Sequence, residues 1–404
     1  KDSKMANSLK VIDMIAAQAM KIAHEKATFL GTVNRSYDDS FGKSGAKIGD
    51  SLKIRLPNEY TVRTGATLST QDTTEASTTL QVSTQKGVDL NFTSADLTMS
   101  LDDFSKRILD PAMSVLAANI EADALNMYKD VYNLVDQDAT AFTWNTVLNG
   151  RKTLNDNLAP MDNQRKCLLS TSSSVKLVDA LKGLFQDSGE ISKQYKEGMM
   201  GRSAGFDFYE NTLLVPHTTG TAVKATTYTV NGAVTTNGST SVVVATGATT
   251  FKQGDVFTVA GCYRVHHETK VSTGALQQFV VTADYAGGAG TLNFAPAIYT
   301  SGGRQNVVAA GMANGSAIVK VGAGASELLN ADLVFHKNAF AFATADLLLP
   351  GGVDFASREV MDGISMRIVR QYDINNDKFP TRLDVLYGYK CIRPQLAARL
   401  HADG

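Results

Sequence analysis

Along the chain, apolar residues recur every three or four positions in some stretches and alternate with polar ones in others, and the switches between these periods divide it. The longest helical pattern runs from Ser100 to Val135, where Leu116, Ile120, Ala124, Met127 and Val131 share one face. Ser100 with Asp103 has the form of a capping box, and Asp110-Pro111 offers a second start, a carboxylate N-cap before proline at N1. Asn119, Glu121, Asp123, Asn126 and Lys129 fall mostly elsewhere around the helix. From Pro111 to Val131 the rod is roughly 31 Å long, enough for several segments to pack on it. A second amphipathic helix spans Ser8 to Leu30, with Leu9, Ile12, Ala16, Ala19, Ile22 and Ala23 on one side and Gly31 closing it. The polar, glycine-bearing stretch 35–49 reads as a linker, which makes this first helix an arm.

The strand period begins at Leu52, Ile54 and Leu56, alternating with Lys53, Arg55 and Pro57. Thr64 to Thr79 is rich in Thr, Ser, Gly and Ala, with Leu68 its one bulky apolar residue. Leu80 and Val82 resume the alternation, and Val88, Leu90 and Phe92 continue it. Two strands are thus joined by an extended polar arm, and a hairpin with so little to bury is marginal by itself. Its partner surface is most simply another chain, with Lys53, Arg55, Thr64, Leu68 and Glu75 as the candidate contact residues. The plainer alternative is a solvated surface loop.

Beyond the long helix, Thr143 to Leu158 predicts a helix with Val147, Arg151, Leu154 and Leu158 in register, stopped by Pro160. Cys167 to Leu169 reads as a buried strand, and Ser172 to Ser174 caps a helix carrying Val175, Val178, Leu181 and Phe185. Gln186 to Gly205 is a polar loop, and Phe206, Phe208 and Leu213 to Pro216 return to strand. At Thr218 the composition turns threonine- and glycine-rich and almost uncharged, and stays so to Val308. Asn231-Gly232 and Asn237-Gly238 are turn pairs, followed by strand patterns at 241–245, 255–259, 278–282 and 291–294. An inserted all-β module is expected, and a closed barrel is favoured because an open sheet leaves edges exposed. From Ala331 the mixed pattern returns, through strands at Ile364–Val369 and Leu383–Tyr389 around an Asn375-Asn376 turn, to a short terminal helix after Arg393-Pro394.

At 404 residues the chain exceeds what one core supports, and 43% hydrophobic content is ordinary for a folded protein. Its 39 basic and 40 acidic residues nearly cancel, so no global attraction to nucleic acid or membrane follows. Cys167, Cys262 and Cys391 lack paired spacing and read as reduced thiols, no run of apolar residues is long enough to span a membrane, and Met5 reads as the natural start. Gly42-Lys43-Ser44 ends like a phosphate loop, but Tyr37 stands where its first glycine belongs. Adjacent His266 and His267 in a strand point to opposite faces, and His24, His217, His336 and His401 are isolated in sequence. No catalytic, metal or cofactor site is expected.

The order of parts resembles the major capsid proteins of tailed bacteriophages, the HK-97-like fold, in the branch typified by the phage P-22 coat protein. Four stretches carry the resemblance: Gly201 to Asn211 leading to Pro216; Gly254-Asp255 to Gly261; Phe335 to Phe342; and Val369 to Asp373 with Leu383 to Gly388. It implies an α+β fold with an N-terminal arm (1–49), E-loop (50–93), spine helix and peripheral domain (94–140), axial domain (141–217 and 309–353), inserted β-barrel (218–308), and peripheral return strands with a C-terminal helix (354–404). The implied function is a coat protein that self-assembles, as pentamers and hexamers, into an icosahedral shell around double-stranded DNA. The implied partners are scaffolding and portal proteins and non-specifically bound DNA, with no membrane and no cofactor. Some related capsids join Lys to Asn covalently, and Lys53, Asn375 and Asn376 are the residues to watch, although solvated roles suit them better. Two other readings stand beside it: an encapsulin-type compartment holding a cargo enzyme, which usually lacks such an insertion, and a secreted β-rich adhesin, which the missing signal peptide and disulfides disfavour.

Overall fold

The computed structural model describes residues 28–37, 49–72, 75–93, 110–137, 140–181, 201–225, 228–245, 247–322, 324–361, 364–376 and 378–402. Most of the expected N-terminal helix, Ser100 with Asp103, Gly42 to Ser44 and most of the 186–205 loop lie outside them. The chain gathers into two compact units: Lys1–Ile54 with Ser77–Leu125 and Phe340–Lys390, and Arg55–Ala76 with Asn126–Ala339 and Cys391–Gly404.

In the first unit, helix α1 (Asp110–Leu125) buries Met113, Leu116, Ala117, Ile120 and Ala124, the face its spacing predicted. Its neighbour is an antiparallel sheet in which Lys378–Cys391 pairs with both Thr84–Thr93 and Ile364–Arg370, and the latter with Phe355–Met361. Asp123 ties helix to sheet, its carboxylate meeting Lys86 Nζ at 2.7 Å and accepting a hydrogen bond from Tyr387 Oη. Burial, and then that carboxylate, push the Tyr387 phenol far above its ordinary range. Glu121, expected on a polar side, is buried and accepts the Phe29 backbone N–H at 2.9 Å.

The helix does not reach Val135. Asn126–Asp130 tightens into a 3₁₀ turn and Leu134–Gln137 is already a strand. Val131, Tyr132 and Val135 favour strand over helix, and the backbone of Leu134–Gln137 is taken up by a parallel partner, Ala397–Ala402. That partner corrects a second expectation. A 3₁₀ turn at Pro394–Leu396 leads into a fully buried strand, not a C-terminal helix, and this strand belongs with the second unit. The alanines favour helix locally, but pairing on both edges outweighs propensity.

Among the described residues, the second unit holds two six-stranded sheets and a two-stranded pairing of His217–Thr218 with Leu328–Leu329. One is mixed, in the order Leu134–Gln137, Ala397–Ala402, Asp332–His336, Arg165–Leu169, Phe206–Glu210, Arg202–Ser203. Helix α2 (Trp144–Asp156), opened by a Thr143 capping box, lies so close on it that a Cβ at Gly150 would stand 2.8 Å from Val334 and 2.9 Å from Leu400. Leu158, expected in the helix register, instead follows the C-cap with φ 57° and is exposed. Helix α3 (Thr171–Leu181) buries Leu177 and leaves Val175 exposed.

The other sheet runs Ser239–Val244, Gly290–Ile298, Ser272–Val281, Val256–Val265, Ala317–Lys320, Tyr228–Thr229. It closes on itself: Asn231 N–H donates to Val243 O at 2.8 Å and Ala245 N–H to Thr229 O at 3.0 Å. Phe251, Phe257, Phe279, Phe294, Tyr228 and Ile318 fill the barrel, with ring centroids as close as 5.1 Å. Closure requires Ala317–Lys320, beyond the expected limit at 308, because this strand alone bridges Val256–Val265 and Tyr228–Thr229.

Candidate assembly site

The arm starts where the Leu52–Leu56 alternation predicted a half-buried strand. Ile54 is buried, Lys53 and Arg55 face outward, and Ser51–Arg55 pairs with Ser77–Gln81. Past Leu56, whose N–H donates to Ala76 O at 2.8 Å, the two limbs separate. Two of the candidate residues meet there: Arg55 Nε lies 3.4 Å from Glu75 Oε2, across the base of the arm. Farther out, Gln71 clamps Thr61, its Oε1 accepting from Thr61 N–H and Oγ1 at 2.9 Å each while its Nε2 donates to Thr61 O at 2.6 Å. Thr64 and Leu68 sit beyond this clamp and are exposed.

Two apolar side chains of the arm are widely exposed, Val62 at 92% and Leu68 at 78%, as Ile374 is at 80% elsewhere in the chain. Sequence reasoning named Leu68 but missed Val62, Tyr60 and Gln71. The signal was present in the alternation of Tyr60 and Val62 with Thr61, which the eye passes over beside prolines and charges. Where the arm leaves the body, a cleft of about 420 Å³ opens, bounded by Pro57, Tyr60 and Val62 on the arm and by Leu158, His267 and Glu268 opposite.

The body that carries the arm is held together by buried polar groups whose partners lie far apart in sequence. His217 Nε2 lies 2.8 Å from Asp255 Oδ1, and its Nδ1 is 3.4 Å from Tyr128 Oη. The other Asp255 oxygen accepts the Gly220 and Lys252 backbone N–H groups at 2.9 and 2.8 Å. Gly254 has to be glycine on two counts. Its φ is +98°, and a Cβ would press on His217 Cε1 at 3.1 Å and Lys129 Cγ at 3.2 Å. The Gly254-Asp255 pair therefore locks barrel to sheet, together with Gln278, which bonds both N–H and C=O of Leu134 at 2.8 and 2.9 Å. Arg399 packs over the Tyr128 ring, and burial lowers its pKa to about 10. His266 accepts the Glu268 and Thr269 N–H groups at 3.3 Å and shapes a hairpin tip. Asn376 turns its amide inward to Asp373 Oδ2 at 2.7 Å. Among the described residues, no group of three or more His, Cys, Asp or Glu side chains is placed to hold a metal ion, and no helix is long and apolar enough to cross a membrane.

The arm is thus braced by its own polar bonds while Val62 and Leu68 stay exposed, and the body beside it is locked by buried contacts. The chain belongs to the family described as P22 coat protein - gene protein 5, whose sequence model matches residues 24–399. It is thus a major capsid protein of the tailed-phage type, assembling with its own copies into the shell of a virion. Family membership favours the virus shell over the compartment and the adhesin. Among solved structures, a chain of Mycobacterium phage Che8 is 12% identical, with 92% of this chain and 90% of that one covered and a TM-score of 0.46. The capsid of the cyanophage P-SCSP1u is 13% identical, covering 89% and 85%, with a TM-score of 0.41. The mature capsid of bacteriophage PhiM1 is 10% identical, covering 90% and 84%, with a TM-score of 0.42. Comparison with curated protein sequences found no match.

Proposed function

We propose that the arm from Leu52 to Val82 is the element by which each coat subunit grips a neighbour in an icosahedral shell of pentamers and hexamers. The observation that supports this is the pair of bare side chains, Val62 and Leu68, on a segment whose own bonds, the Thr61–Gln71 clamp and the Arg55–Glu75 pair, stiffen it without covering them. Lys53, Thr64 and Leu68 present themselves to the neighbour, while Arg55 and Glu75 brace the base. The contacts are non-covalent and need no catalytic chemistry. The barrel folds as a separate domain within the axial region. Scaffolding and portal proteins guide assembly, and the enclosed double-stranded DNA is touched without sequence preference, since basic and acidic residues nearly balance.

Deleting residues 65–77 tests the arm. Its exposed ion pair contributes about 0–1 kcal/mol, so the isolated subunit should unfold within a few degrees of wild type, yet form no regular shells by electron microscopy. Normal shells from the deletion variant, or an unfolded subunit, would refute the assignment.

A further inference from the structure

An asparagine followed by glycine is open to attack by its own backbone, since the glycine nitrogen meets no Cβ on its way to the asparagine Cγ. Four such pairs occur in this chain: Asn149-Gly150, Asn231-Gly232, Asn237-Gly238 and Asn314-Gly315. A glycine N–H that donates a hydrogen bond keeps its nitrogen from that reaction, because the bond has to break before the nitrogen turns on Cγ. In three of the pairs the acceptor is a backbone carbonyl. Gly150 lies inside α2, within the helix ladder. Gly238 N–H donates to Ile298 O at 2.7 Å, and Gly315 N–H to Val230 O at 2.8 Å. The Asn237 side chain is tied down as well, accepting the Thr300 N–H at 2.8 Å and donating to Ser301 Oγ at 3.2 Å.

Asn231-Gly232 is held differently. Its glycine N–H donates to a side chain, Asn314 Oδ1, at 2.8 Å. Among the described residues this is the one hydrogen bond of the Asn314 side chain, and the Asn231 side chain makes none. Asn231, Gly232 and Asn314 are all exposed, so water reaches the pair. The pair also lies on the seam of the barrel, where Asn231 N–H donates to Val243 O at 2.8 Å.

We infer that Asn231 is a deamidation site on the seam that closes the barrel, and that Asn314 guards it by holding the Gly232 nitrogen. When Asn314 Oδ1 lets go, Gly232 N gives its proton to water and bonds to Asn231 Cγ. The Cγ–Nδ2 bond breaks, ammonia leaves, and a five-membered succinimide remains. Water then opens that ring at either carbonyl, yielding aspartate or isoaspartate, with no oxidant or metal involved. Isoaspartate carries one more carbon in the main chain, and here that carbon falls next to the N–H that closes the sheet. Asn314 is therefore a positioning residue for this chemistry and takes no part in its bonds.

The test ages the full chain at mildly alkaline pH as wild type, Asn314→Ala and Asn314→Asp. Asn314 does not have a left-handed backbone, so alanine suits its conformation. Peptide mass spectrometry reads mass gain and isoaspartate at each of the four pairs. In Asn314→Ala the rate at Asn231 should rise about three- to tenfold, the equivalent of one ordinary hydrogen bond, while Asn149 and Asn237 keep their wild-type rates. Asn314→Asp retains an acceptor oxygen and should protect Asn231 as wild type does. An unchanged Asn231 rate in Asn314→Ala, or a raised one in Asn314→Asp, overturns the inference. Should Asn314→Ala unfold, which faster reaction at Asn149 would report, hydrogen exchange of the wild-type chain decides. Protection of the Gly232 amide supports the guard, and exchange at the free-chain rate overturns it.

Discussion

Asp332 offers a quantitative check on the folded body. Its side chain is buried at the start of α3, where Oδ1 accepts the Ser170 N–H at 2.6 Å and Oδ2 accepts the Ser173 hydroxyl. Burial raises its pKa from 3.8 to about 6, against the pull of Ser173, Ser170 and the Lys176 charge. A folded pKa above the unfolded one contributes stability that is fully present below about 3.8 and is lost as pH rises through about 6. Roughly two pKa units correspond to about 3 kcal/mol, of which about 2 kcal/mol falls between pH 4.5 and pH 7.5. Asp332→Asn removes the titration but keeps an acceptor for Ser170 N–H, and the Ser173 hydroxyl can rotate to accept from the new amide. The variant's advantage over wild type should therefore be smaller at pH 4.5 than at pH 7.5. The difference in their unfolding midpoints should grow by roughly 4–8 °C across that window. Thermal unfolding of both subunits, followed by circular dichroism at several pH values, measures it. A midpoint difference that stays flat with pH would show that the carboxylate is solvated or differently paired, and the reasoning would fail.

Two further predictions concern the barrel. Gly254→Ala combines a left-handed φ with pressure on His217 and Lys129, so it should cost about 1–3 kcal/mol, seen as a lowered unfolding midpoint with unchanged circular dichroism. A fragment spanning 219–322 should show β-type circular dichroism and dispersed amide resonances, whereas 218–308 should not, because only the longer one contains Ala317–Lys320; equal folding of both would refute the closure described above.

Local pattern determined a good deal of this protein. The 3.6-residue period of Leu116, Ile120 and Ala124 picked the buried face of α1, and the alternation at Leu52, Ile54 and Leu56 picked the inner face of the arm's first strand. The poverty of Thr64 to Thr79 in anything to bury marked the arm, because a segment without core residues has to lie at the surface whatever the fold. The shift to threonine and glycine at Thr218 marked the β-module. What failed depended on partners distant in sequence. Whether Val131 to Val135 continues a helix or enters a strand is decided by Ala397–Ala402, hundreds of residues on, and the same pairing turns an alanine-rich terminus from helix to strand. The strand Ala317–Lys320 is too short to announce itself, and it becomes part of a barrel only because two edges need it. His217 was isolated in sequence and gained a role when Asp255 arrived beside it. Periodicity reports which side of an element faces inward, since that is a property of neighbours along the chain. Which strand closes a sheet, and which glycine must stay bare against His217, depend on contacts formed only when the chain has folded back on itself.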